Sequence, residues 1–85
     1  MGIEYKIHFP VPEGYSTTLL LRRLPAAETA VGVAAGQMPA YHFALESDGF
    51  YFLDHLSNDA VAALAMRMLI DEGLRHSSSV QISEL

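Results

Sequence analysis

YHFALESDGFYFLDHLSNDAVAALAMRMLIDEGL, residues Tyr41–Leu74, places two hydrophobic periods back to back, and the change from one to the other decides the fold class. Tyr41, Phe43 and Leu45 alternate with His42, Ala44 and Glu46, which is the period-2 pattern of a half-buried strand. Ser47-Asp48-Gly49 follows, and Asp48-Gly49 is a pair that tolerates positive φ in a tight turn. Phe50-Tyr51-Phe52-Leu53 then forms the return strand of a hairpin. Its alternation breaks, and a strand apolar on both faces is expected to be covered on both.

After Asp54 and His55 the period becomes helical. Ser57 or Asn58 serves as N-cap, Asp59 lies favourably on the first-turn dipole, and Gly73 or the residues just after it stop the helix. Val61, Leu64, Ala65 and Met68 form one apolar stripe; Ala62, Met66, Leu69 and Ile70 form a second beside it. Arg67 and Asp71, spaced i,i+4, leave only a narrow wet arc. An arc of about 100° suffices to cover a core. The second stripe, Ala62, Met66, Leu69 and Ile70, is therefore expected either to be covered by a neighbouring loop or the first helical segment, or to form a partner interface, since large apolar patches on soluble monomers usually mark interfaces.

Outward from this stretch, Ile3–Phe9 alternates as a strand that Pro10 and Pro12 end, with a loop to Gly14. Ser16 or Thr17 caps a short helix through Leu24, closed by Pro25. The competing assignment makes Thr17–Leu24 a strand and starts a helix at Pro25 that runs to Ala35. Ala30–Gly36, AVGVAAG, admits no secure assignment, and the spacing of Gly32 and Gly36 reflects local backbone permissiveness. Ser77–Ser79 is a polar connection to a last short strand, Val80–Ser83. The order strand, helix, strand, strand, helix, strand resembles the βαββαβ arrangement of ferredoxin-like folds, in element order only. The expectation is a single α+β domain over residues 1–85: a small two-layer sandwich with its helices on one face of an antiparallel sheet.

Composition narrows the function. The chain has 85 residues, of which 51% are hydrophobic and 18% charged, so it has the means to pack a core. A domain this small buries only about 60–65% of its unfolded surface, and oligomerisation would add to a modest stability. It has no cysteine, which excludes disulfides, thiolate metal sites and cysteine nucleophiles. Ten carboxylates against Lys6, Arg22, Arg23, Arg67 and Arg75 give a formal charge of −5. Scattered basic residues without a stripe argue against nucleic acid. The lack of a basic start followed by an apolar run, and of any apolar run near 18 residues, argues against a leader or membrane segment. A cytoplasmic protein is expected.

If the apolar strand positions face the helices, Lys6, His8, His42, Glu46 and Gln81 share the opposite sheet face. These five are the candidate ligand-binding residues. Imidazoles, a carboxylate and an ammonium on rigid strands suit an anionic ligand, proton transfer near neutral pH, or a divalent metal. Asp54-His55 reads as a pre-helix turn, because adjacent residues in extended chain point apart. His76 suits the C-terminal dipole of the helix. GxSxG, HExxH, P-loop, dinucleotide and calcium-loop motifs are all missing. No catalytic residue, metal ligand or cofactor is assigned.

The expected function is a non-enzymatic interaction or regulatory module that forms a homodimer or docks on a partner protein. The alternative is a small-ligand-binding protein or enzyme in which two protomers close their sheets around a barrel-like pocket. There His8 or His42 is the acid/base, Lys6 is the anion partner, and a histidine lies within hydrogen-bond reach of Glu46, Tyr51 or Lys6.

Overall fold

The computed structural model describes residues 2–25 and 39–85. Among the described residues six elements follow in the expected order: β1 (Ile3–His8), α1 (Thr18–Arg23), β2 (Tyr41–Glu46), β3 (Gly49–Asp54), α2 (Asp59–His76) and β4 (Gln81–Glu84). The strands form one sheet in the order β2-β3-β1-β4, with every neighbouring pair antiparallel. The readings of Ala30–Gly36 and of a helix from Pro25 to Ala35 fall on residues 26–38, outside the described residues.

Register puts the apolar positions in rows. Tyr5 lies opposite Phe52, which lies opposite Phe43; Ile7 lies between Phe50 and Ile82. On this face Ile7, Phe9, Phe50, Phe52 and Tyr41 are buried together with Leu20 of α1 and Ala62, Ala65 and Leu69 of α2. Two alanines on the inward face of α2 leave room for the aromatic rings of the sheet, which pack among themselves: Phe9 on Phe50 at 5.2 Å and Tyr41 on Phe52 at 5.5 Å between centroids.

The assignment of α2's two stripes needs correction. Ala62 and Leu69 are buried in the chain's own core, and Met66 and Ile70 are half-buried against it. The stripe expected to meet a partner is the one that meets the sheet. Val61 and Ala65 of the other stripe are drawn into the same arc, which is far wider than the minimum, because α2 lies against β1, β2 and β3 together. What remains exposed is Leu64 (53%) and Leu74 (47%), on either side of a wet arc where Arg67 Nε donates to Asp71 Oδ1 at 3.1 Å.

Local signals set the ends of the elements. Asn58 caps α2, its Oδ1 accepting from the Val61 N–H at 3.2 Å, with Asp59 in the first turn. Gly73 does not stop the helix, which continues to His76 and ends where Ser77 turns extended. That glycine serves close packing: a Cβ there would lie 2.9 Å from Val80 Cγ2 and 3.1 Å from Phe9 Cδ1. The hairpin turn falls one residue early, on Ser47-Asp48. Gly49, at φ +145°, opens β3, where a Cβ would lie 1.9 Å from the Ile7 carbonyl oxygen of the neighbouring strand. Thr18–Arg23 is helix, which settles the competing strand assignment. Ser16 Oγ accepts from the Thr18 N–H at 3.2 Å, whereas Thr17 at the cap position makes no side-chain cap bond. Among the described residues, no helix is long and apolar enough to cross a membrane.

Candidate functional site

Side chains alternate across a strand, so the face away from the helices takes Glu4, Lys6 and His8 from β1, Tyr51 and Leu53 from β3, His42, Ala44 and Glu46 from β2, and Gln81 and Ser83 from β4. All five candidate residues fall on it. The structure does not gather them into one site. His42 belongs to the row of Leu53 and Glu4, whereas His8 belongs to the row of Gly49 and Glu46. Four residues along a strand separate these rows, roughly 13 Å, with two strand spacings between them as well.

Lys6 anchors the middle. Its ammonium donates to Glu46 Oε1 and to Asp48 Oδ1, reaching along the row where Gly49 presents no side chain. Only 8% of Lys6 is exposed. The hydrogen bond to Asp48, then that to Glu46, raises the Lys6 pKa against the opposing effect of burial. The same bond from Lys6 holds the Asp48 carboxyl below its ordinary value. A lysine whose charge is met by two carboxylates is a structural tie between β1 and the hairpin. It is not a free cation awaiting an anionic ligand.

Two further pairs complete the face. The Tyr51 hydroxyl donates to Glu4 Oε2 at 2.9 Å, and that bond is the main cause raising its pKa. At the far end, His42 Nδ1 and His55 Nε2 lie 3.0 Å apart with their rings nearly perpendicular. Burial, then the neighbouring His42, lowers the His55 pKa. Asp54 does not orient this imidazole, because its Oδ1 accepts from the Leu56 N–H at 2.8 Å. Between the polar pairs lie Ala44, Leu53 and the ring of Tyr51, the first exposed and the other two half-buried.

His8 and Gln81 line an open cleft of about 550 Å³ at the hairpin end of the sheet, beside Asp48 and Ser79 and over Phe9 and Pro10. A second cleft, about 250 Å³, lies where α1 meets the end of α2. There the Tyr15 hydroxyl donates to Glu72 Oε2, and Arg75 and His76 approach the same carboxylate at 3.6 and 3.9 Å. Burial, then the bond to Glu72, pushes the Tyr15 pKa far up. His76 stacks against Phe9 and meets Tyr15 edge-on at 5.1 Å.

Sequence reasoning sets His55 aside with Asp54 as a pre-helix turn, and misses the roles of Asp48 and of the Tyr15–Glu72 pair. Glu72 alone left a local signal: it follows Leu69 by three residues and so shares the buried face of α2, where a carboxylate needs a partner. Compared with known protein families, with curated proteins and with solved structures, the chain matches no family model, no protein and no structure.

Proposed function

We propose that the chain is a non-enzymatic interaction module that associates with a second copy of itself through the open face of its sheet. The element order and the strand order β2-β3-β1-β4 also support the finer description of a ferredoxin-like fold, in which this face is the uncovered one.

One observation carries the reading: the charged and polar side chains that cross the face bond to one another, Lys6 to Glu46 and Asp48, Tyr51 to Glu4, and His42 to His55. Groups already paired within a surface keep their partners when water is removed, so covering it leaves few donors or acceptors orphaned. Burial of Ala44, Leu53 and the Tyr51 ring then contributes the gain. Three strands of six residues and one of four, about 4.8 Å apart, span roughly 350 Å² in plane, less than half the roughly 800 Å² per partner of a stable complex. The expected dimer is therefore weak and concentration-dependent. The pocket alternative has less support, because Lys6 is neutralised and His8 and His42 lie at different ends of the sheet.

Light scattering across a concentration series, from low micromolar upward and with a chelator present, tests the proposal. The mass should climb toward that of two chains, and Leu53→Glu should hold it at one. A wild-type chain that stays monomeric throughout, or a dimer indifferent to Leu53→Glu, refutes it.

A further inference from the structure

His42 and His55 offer more than a hydrogen bond. His42 is fixed within β2, and His55 extends the ladder one residue beyond β3, its backbone N–H donating to the Ala40 carbonyl at 3.2 Å. Two ring nitrogens are thereby held 3.0 Å apart on the rim of the open face. Metal-bound imidazole nitrogens at about 2.0–2.1 Å stand roughly 3.3 Å apart in a tetrahedral set, so a small ring rotation turns this pair into a chelate. The proton now shared between His42 Nδ1 and His55 Nε2 moves to the far nitrogen of the imidazole that holds it, and both lone pairs become available. No charged group has to be neutralised in this exchange.

We propose that His42 and His55 are one half of a site for a divalent transition-metal ion of the zinc type, which the same pair from a second copy completes. Two nitrogens fill half of a tetrahedral set. Among the described residues, no group of three or more histidine, cysteine or acidic side chains stands ready to fill the rest. The pair adjoins Leu53, its cross-strand neighbour through His42, toward one end of the face proposed to self-associate. A two-fold axis passing near Leu53 brings two such pairs together and gives four nitrogens. This inference rests on that association for its geometry; the ion would strengthen a dimer whose apolar area is small.

The test is titration of the untagged full chain with zinc chloride, following heat and solution mass together, for wild type, His42→Ala, His55→Ala and the milder His42→Gln. The expected result is one zinc per two chains. The concentration at which half the chains are dimeric should fall by about tenfold or more in saturating zinc, and each histidine variant should abolish the effect. The far-ultraviolet circular dichroism of each variant establishes that it is folded. Absence of binding, one zinc per chain without a change in mass, or binding retained in the histidine variants overturns the proposal. The chelator series distinguishes the two readings: association without metal that ignores zinc sinks only the metal site, and a monomer in chelator that zinc dimerises sinks only the intrinsic association.

Discussion

Gly73→Ala tests how tightly α2 is seated. In an exposed helix interior this change stabilises by about 1 kcal/mol, since alanine is the better helix former. Here the new Cβ would lie 2.9 Å from Val80 Cγ2 and 3.1 Å from Phe9 Cδ1, both inside ordinary contact. Neither neighbour yields easily. Valine has a stiff χ1, and Phe9, 4% exposed, packs on Phe50 at 5.2 Å and against His76. Overpacking costs about 1–3 kcal/mol, so the balance is a loss of about 1 kcal/mol, or about 4–8 °C in Tm for a domain of this size. Urea unfolding of wild type, Gly73→Ala, Val80→Ala and the double variant measures it. The loss should shrink or reverse in the Val80→Ala background, as a double-mutant cycle reports for side chains in contact. A Gly73→Ala chain more stable than wild type by about 1 kcal/mol would show that only helix propensity acts there, and the packing argument fails.

Three further outcomes are expected. Tyr15 and Tyr41 have hydroxyls whose pKa values burial raises above 10.0, so their contribution is complete below that pH and is lost above it as the unfolded chain ionises first. Urea midpoints should drop between about pH 9 and about pH 11, and Tyr15→Phe should flatten the slope; an unchanged slope counts against the buried phenol. Lys6→Met should destabilise by about 1 kcal/mol, the partners being half-exposed, and by NMR should return the Asp48 carboxyl toward its ordinary 3.8. Because that carboxyl is held low, its stabilisation is present above 3.8 and lost as pH falls, and the variant should lack this acid-side loss. Leu56 sits at φ +62° and is 47% exposed. Leu56→Gly relieves about 1–2 kcal/mol of left-handed strain against about 0.5–1 of backbone entropy, so denaturation should show stability unchanged or raised by about 0.5 kcal/mol. A fall of more than about 1 kcal/mol would contradict the strain.

The legible parts of the fold were those that depend on near neighbours. Alternation in Ile3–Phe9 and Tyr41–Glu46, the Asn58 cap and the helical period after it mark β1, β2 and α2 to within a residue or two, because each signal is local. α1 was also readable, from leucines and arginines behind a serine that engages the chain two residues on. The face shared by Lys6, His8, His42, Glu46 and Gln81 followed from parity alone. What touches what on that face did not. Lys6 meets Glu46 across 40 residues of sequence, and no pattern near either residue fixes the register that joins them. His55 was discounted through its neighbour Asp54, although the ladder carries its ring to His42. The stripes of α2 were misassigned for a related reason: periodicity gives the width of an apolar arc, whereas its orientation depends on which sheet residues are largest. Gly73 and the residues just after it both offer a helix stop in the sequence, and the stop falls on the latter, since a glycine needed for close approach and one needed for helix termination are identical in sequence.

The pairing of β1 with β4 has a topological consequence. Because these strands run antiparallel side by side, with the Leu85 N–H donating to the Glu4 carbonyl at 2.8 Å, residues 4 and 85 are spatial neighbours although 81 positions apart. A short flexible loop suffices to splice one to the other, and the backbone can then be opened elsewhere, for instance at the exposed Glu13-Gly14 bend, without changing any strand's place in the sheet. The architecture is in that sense nearly circular. The order in which the ribosome makes its strands and the order in which they lie are separable properties, and a permuted gene should encode the same sheet.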